Sequence, residues 1–319
     1  MQLRLTMIAV AALAAAACAT EGGTERDAAP GDTSAAATAA DTGLQLVRAV
    51  DGFSGPESVV YDAAQDVWFV SNINGSPGAK DGNGFISRMT ADGTVDSLRF
   101  VAGGRGGVTL HAPKGTAIVG DTLWVTDIDA VRGFSTRSGA PLTTIEFGSR
   151  AGFLNDIAAA PDGSLYVTDT GVRFGADGSM TPSGTDQVFR VAPDRSVTTA
   201  VRADSLVAPN GITWDRSSSR FVIVSFQSPT LFQWAPGDST PAGYASAGGG
   251  NDGAELVNGT LLITSWEDSS LTAVSGGSER QLVRGLGGPA DIGIDTRRNR
   301  VAVPLLPGGR VEIYQLMQR

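Results

Sequence analysis

From Leu44 onward, apolar and polar positions alternate in short runs with the period of a strand. Clusters of Gly, Asp, Asn and Pro separate them. No run carries the spacing of a convincing amphipathic helix. The runs recur in a fixed order, in which a polar residue opens a short apolar strand and a second strand then ends in Ser, Thr or Asp. The units are PESVVYDAAQDVWFVSN from Pro56, PKGTAIVGDTLWVTD from Pro113 and LNDIAAAPDGSLYVTD from Leu154. They continue with PNGITWDRSSSRFVIVSF from Pro209, NDGAELVNGTLLITSW from Asn251 and PADIGIDTRRNRVAVPLL from Pro289. The opening positions are Glu57, Lys114, Asn155, Asn210, Asp252 and Ala290, at an average interval close to 47 residues, which suits four strands per unit.

A further hairpin follows each of the first five pairs, often with an Asp-Gly or Gly-Gly turn. The sixth unit stops at its third strand, GRVEIYQL (309–316). Leu44–Val50 (LQLVRAV), ahead of the first unit, can supply the missing one. The expected fold is therefore all-β, a six-bladed β-propeller over residues 44–319, closed by N-terminal strand pairing in the last blade. A β-sandwich needs no six equivalent units, and two three-bladed domains would leave sheet edges open.

The chain ahead of this region has a different pattern. Arg4 precedes an apolar run, Met7–Ala17, too short to span a bilayer as a stable helix. The run ends Ala15-Ala16-Ala17-Cys18, which resembles a bacterial lipobox, with an ordinary secretory signal as the alternative. Residues 1–18 read as a lipoprotein-type signal ending at a lipidated Cys18. Residues 19–43 hold no aromatic and no aliphatic larger than Ala, and so read as a disordered tether. The expectation is a monomer in the bacterial cell envelope, on the periplasmic or surface side, attached to a membrane through Cys18 only.

Charge and rare residues narrow the chemistry. The net charge is −9 and no basic run is present, which argues against nucleic acid as a partner. One His (His111) and one Cys (Cys18) exclude a Cys/His zinc site, an intramolecular disulfide and a Cys-His nucleophile within the fold. In a propeller the first strand of each blade lines the central channel, so the six opening positions ring one mouth. Glu57, Asn155, Asn210 and Asp252 would bring two carboxylates and two amides together from four blades. That donor set suits a hard cation such as Ca2+. Asn-Gly, Asn-Asp and Asp-Gly are also common turn dipeptides, so the same residues can be read as turns.

The segments Glu57-Ser58-Val59-Val60-Tyr61-Asp62, Phe153-Leu154-Asn155-Asp156 with Pro161-Asp162-Gly163, Asn210-Gly211-Ile212-Thr213-Trp214 and Asp252-Gly253 resemble the senescence marker protein-30/gluconolactonase/luciferin-regenerating-enzyme-like family. The resemblance extends over essentially all of residues 44–319. It implies a six-bladed propeller, as in the related diisopropylfluorophosphatase and paraoxonase, with Glu57, Asn155, Asn210 and Asp252 as ligands of a functional Ca2+. The chain departs from the family's sugar-lactone members by carrying Phe153 and Leu154 where an Arg usually precedes the Asn-Asp. It has no match for the paraoxonase His pair.

The implied activity is a Ca2+-dependent hydrolysis of lactones or related small-molecule esters at the mouth of the channel. Asp252 is the family-implied base and Asp291 a second candidate. Lys114 is read as an oxyanion or substrate-carboxylate partner, with an ion pair to Glu57 or Asp252 as its alternative. His111, in the loop entering the second unit, and Arg173 and Phe174, in the long loop 170–186, are candidate substrate contacts. The competing reading is a non-catalytic ligand- or protein-binding propeller with a structural Ca2+. A quinone-dependent sugar dehydrogenase is disfavoured, because a single His away from the ring leaves its base unfilled.

Overall fold

The computed structural model describes residues 44–175 and 179–317. Six four-stranded antiparallel sheets follow one another along the chain. Blade 1 is Pro56–Asp62, Val67–Asn72, Phe85–Thr90 and Val95–Ala102, and blade 2 is Pro113–Val119, Thr122–Asp127, Ala130–Ser135 and Pro141–Glu146. Blade 3 is Leu154–Ala159, Leu165–Asp169, Gln187–Val191 and Val197–Val201, and blade 4 is Pro209–Asp215, Arg220–Ser225, Ser228–Trp234 and Ala242–Ser246. Blade 5 is Asn251–Val257, Thr260–Ser265, Ser270–Ser275 and Ser278–Arg284. Blade 6 takes Gly293–Asp295, Arg300–Leu305 and Arg310–Leu316 from the C-terminal end of the chain and Leu44–Asp51 from the N-terminal side.

The closing strand pairs antiparallel with Arg310–Leu316, from Leu44 opposite Leu316 to Asp51 opposite Arg310, with one irregularity between Leu46 and Arg48. The fold is thus the six-bladed propeller expected from the repeat, closed as expected. The signal and tether assigned to residues 1–43 lie outside the described residues. Among the described residues no helix is long and apolar enough to cross a membrane.

Strand alternation explains where the core sits. Each sheet buries apolar residues on both faces, and those faces meet the neighbouring blades. Among the described residues six apolar clusters lie one at each junction between consecutive blades, and a smaller seventh joins Ile73, Ala112 and Ile128. Val59, Trp68 and Val70 of blade 1, for example, pack on Ala302, Val311 and Ile313 of blade 6. The last junction is also sealed beside the channel. The Asp291 amide donates to Glu57 O (2.8 Å), and the Val59 amide donates to Asp291 O (3.3 Å).

Two insertions stand out from the repeat. Residues 73–84 form a loop without regular strands in blade 1. The long connection 170–186 in blade 3 carries a small hairpin of its own, Val172–Phe174 paired with Met180–Pro182. The sequence pattern indicated a loop at the second site and missed these two short strands, whose residues show no clean alternation.

Candidate functional site

The innermost strands of blades 1 to 5 share one irregularity. Pairing with the second strand breaks between Pro56 and Val59, Pro113 and Thr116, Leu154 and Ile157, Pro209 and Ile212, and Asn251 and Ala254. Each break holds two residues, and the first is Glu57, Lys114, Asn155, Asn210 or Asp252 in turn. A β-bulge turns a side chain away from the pleat, and bulges concentrate beside functional sites. The same device thus acts on all five of these ring residues, each of which is buried.

The second bulge residue is Gly115, Gly211 or Gly253 in blades 2, 4 and 5. None of the three has positive φ, and all lie inside strands. Lys114-Gly115, Asn210-Gly211 and Asp252-Gly253 are therefore not turns. Glycine is needed because the next blade approaches too closely for a side chain. A Cβ on Gly115 would stand 2.5 Å from Asp156 Cα, and one on Gly253 would stand 2.6 Å from Asp291 Cα. In blades 1 and 3 the equivalent residues are Ser58 and Asp156, which reach across instead. The Ser58 hydroxyl donates to Asp291 Oδ2 (2.6 Å), and Asp156 Oδ2 accepts the Ile212 amide (2.7 Å).

Side chains near the end of the second strand hold the bulges in blades 1, 2, 3 and 5. Ser71, Thr126, Thr168 and Thr264 place hydroxyls against them. The amides of Ser58, Asp156 and Gly253 donate to Ser71 Oγ (2.9 Å), Thr168 Oγ1 (2.9 Å) and Thr264 Oγ1 (2.8 Å). The threonines also donate to the next blade: Thr126 to Asn155 O, Thr168 to Asn210 O (2.6 Å) and Thr264 to Ala290 O (2.9 Å). One residue further on, Asn72, Asp127 and Asp169 accept amides from the segment leading into the ring residue: Ser54, His111 and Ala112, and Gly152 and Phe153. The Ser, Thr and Asp strand endings visible in the repeat include these supports, and the Ser225 ending of blade 4, whose hydroxyl has no hydrogen-bond partner, is not one of them. Their recurrence was legible in the sequence, but their role was not.

The ring is electrostatically unusual. Glu57 Oε2 and Asp252 Oδ1 are buried without any hydrogen-bond partner. The other Asp252 oxygen accepts the Trp266 indole N–H (2.7 Å), and Trp266 is a residue that the sequence pattern did not single out. Asn155 turns its amide N–H toward Thr170 Oγ1 (3.0 Å), which leaves its oxygen as the available donor atom. Burial, and then the charge of Asp252, push the Glu57 carboxyl well above its usual range, with Lys114 opposing them. Burial raises Asp252 to about 7, against the Trp266 hydrogen bond. Asp156 is pushed up to about 6 by burial, although the Ile212 and Ile157 amides favour its charge. Asp291 stands well above its usual value, through burial and then the charge of Asp156.

Several buried carboxylates share the field of one nearby lysine, an arrangement short of positive charge. Among the described residues no three His, Cys, Asp or Glu side chains group as a metal cage by themselves. The ring instead offers a mixed set of two carboxylates and two amides. Its two orphaned carboxylate oxygens are what a hard cation would satisfy, so the residues fit such an ion.

Lys114 makes neither expected ion pair. Its ammonium donates to Ala112 O (3.0 Å) and lies 4.2 Å from the Phe153 ring centroid. Burial lowers it to about 8, against the charges of Glu57, Asp127 and Asp129. His111 is half-buried, and its Nδ1 accepts the Gly82 amide (3.0 Å), pinning the blade 1 loop. Asp291, held by Ser58, lies at the junction of blades 6 and 1. Arg173 and Phe174 lie on the inserted hairpin. There they line a pocket of about 380 Å3 together with Phe153.

The sequence profile of the SMP-30/gluconolactonase/LRE-like region matches residues 55–231, more than half of the chain. A search of curated proteins finds no match. Among solved structures, a gluconolactonase from Xanthomonas campestris is similar at 18% identity and TM-score 0.62, over 86% of this chain and 89% of that one. A luciferin-regenerating enzyme is similar at 10% identity and TM-score 0.64, over 86% and 95%. The virginiamycin B lyase of Staphylococcus aureus is similar at 13% identity and TM-score 0.58, over 86% and 100%. At these identities the structural likenesses speak to the fold alone. A lyase among them underlines that the fold does not choose the reaction.

Proposed function

The chain belongs to the SMP-30/gluconolactonase/LRE-like family, and from that premise we propose that it hydrolyses lactones or related esters with the help of Ca2+ at the mouth of the propeller. The observation that carries this reading is the pair of buried carboxylates, Glu57 and Asp252. Each lies on an equivalent bulge, and each keeps one oxygen without a partner.

Glu57, Asn155, Asn210 and Asp252 would hold the ion, with two negative charges to balance it. Bound there, Ca2+ would supply a Lewis acid for the ester or lactone carbonyl. Trp266 holds one Asp252 oxygen by a hydrogen bond, and the Asp252 carboxylate would serve both as a ligand and as the group that accepts a proton from an attacking water. Lys114, beside Phe153, supplies positive charge toward a developing oxyanion. Asp291 takes a positioning role, because the Ser58 hydroxyl already engages it.

The test is a panel of lactones and aryl esters assayed with Ca2+, with chelator, and after Ca2+ is restored. Activity that vanishes with chelator and returns with Ca2+ supports the reading, and activity indifferent to chelator contradicts it. The second reading, a binding propeller with a structural Ca2+, draws on Phe153 and Leu154 standing where sugar-lactone members carry an Arg. It gains if calorimetry registers Ca2+ while no substrate turns over. The Cys18 segment supports attachment to a bacterial envelope membrane. Cys18→Ser should then release the protein into a soluble envelope fraction, and a wild type already wholly soluble would overturn that part.

A further inference from the structure

The pocket beside the ring has a composition of its own. Phe153, Phe174, Ile128 and Ala151 form its apolar wall, Lys80, Asp129 and Ser149 contribute a polar one, and the exposed Arg173 borders it. Its volume of about 380 Å3 is within the range that holds small ligands. Phe153 links it to the site already described. It stands two residues before Asn155, the Lys114 ammonium lies 4.2 Å from its ring centroid, and the Phe174 ring lies 5.0 Å away. Phe174 is held from the other side by the blade 1 loop, because any Cβ on Gly78 would overlap the Phe174 side chain. Lys80 of that loop is engaged by Asp129 (2.5 Å), whereas Arg173 makes no ion pair among the described residues.

The pocket therefore offers aromatic rings, aliphatic side chains, an ion pair closed on itself and one uncommitted cation. Against the Phe153 and Phe174 rings a polyhydroxylated arm would lose water without gaining hydrogen bonds, and the polar Lys80 and Asp129 on the wall already engage each other. An apolar arm loses nothing comparable, and a carboxylate at its outer end would meet the guanidinium. Resting on the hydrolase reading above, we propose that the substrate is a lactone or ester bearing an apolar alkyl or aryl arm that ends in an anionic group. The arm lies against Phe153 and Phe174, Arg173 binds the anion, and the carbonyl reaches the ring.

Calorimetry in chelator tests the pocket without metal or turnover, using 4-phenylbutyrate, 4-phenylbutanol and D-gluconate as probes. The expected order places 4-phenylbutyrate about ten-fold or more tighter than gluconate. Phe174→Ala should weaken both phenyl probes by about ten-fold, whereas Phe174→Leu, which keeps apolar bulk, should retain most of the affinity. Arg173→Gln, at an exposed position, should weaken 4-phenylbutyrate and leave 4-phenylbutanol unchanged. Gluconate binding as tightly as 4-phenylbutyrate, or both probes indifferent to Phe174→Ala and Arg173→Gln, overturns the proposal. These failures are distinguishable from failure of the hydrolase reading. Intact probe binding without turnover on the lactone panel removes the reaction and keeps the ligand class. Turnover of polyhydroxylated lactones, unchanged in Phe174→Ala, keeps the reaction and removes the ligand class.

Discussion

At the scale of single residues, variants of Glu57 and Asp252 would separate the proposed metal binding from the proposed proton transfer. Asp252→Asn keeps the shape and removes a charge and the proposed base. Ca2+ affinity should fall, and kcat should drop about 10²-fold or more even at saturating Ca2+. Glu57→Gln should also weaken Ca2+, with kcat recovering as the ion is added in excess. Calorimetric titration beside lactone hydrolysis reads both effects, and unchanged affinity in both variants would remove the ring as a metal site. The same carboxylates set a pH dependence. Asp252 is held at about 7, Asp156 at about 6 and Glu57 well above its usual value. In the unfolded chain such groups ionise near pH 4. Between those limits the fold holds protons that the unfolded chain has released, so stability of the chelated protein falls as pH rises from about 4 to about 7. Lys114, lowered to about 8, adds an opposite slope only above that pH. Bound Ca2+ would offset the carboxylate repulsion, so its gain in Tm should be larger at pH 8 than at pH 5. An equal or reversed gain in thermal melts contradicts this.

At the scale of elements, the bulge and its hydroxyl form one device that recurs in blades 1, 2, 3 and 5. Thr168 accepts from the Asp156 amide beside Asn155 and donates to Asn210 O, so it ties two ring positions of adjacent blades together. Thr168→Val preserves the shape and leaves a buried N–H and C=O each short of a partner. The expected cost is about 1–3 kcal/mol in urea denaturation, with weaker Ca2+ binding because Asn155 and Asn210 lose a shared support. Thr198→Val, on the exposed outer strand of the same blade, should change neither quantity. If the two variants behave alike, the hydroxyl clamp has no part in placing the ring.

At the scale of the whole molecule, stability depends on closing a circle of six interfaces. Leu44 and Val50 are buried in two different clusters, on either side of blade 6. A protein beginning at Leu44 should melt like the full-length chain. Removing residues up to Val50 as well strips the partner from Arg310–Leu316 and exposes a sheet edge. The shorter protein should lose many degrees in Tm or aggregate, as scanning calorimetry and size-exclusion chromatography would register. Equal melting temperatures for the two truncations would contradict closure by this strand.

The propeller, its closure and the ring positions were legible in the sequence because each is a local signal that recurs. Strand alternation, the polar residue opening each unit and the incomplete last unit are all properties of neighbouring residues. Those signals left Asn210-Gly211 and Asp252-Gly253 divided between turns and ring residues. Only the packing of adjacent blades excluded the turns, by bringing the next blade's backbone against each glycine of a strand bulge. Trp266 on Asp252, the threonine clamps and the Phe153–Phe174 pocket are likewise contacts between distant segments. Their chemistry arises where two blades or two loops meet, and no periodicity along the chain encodes that meeting.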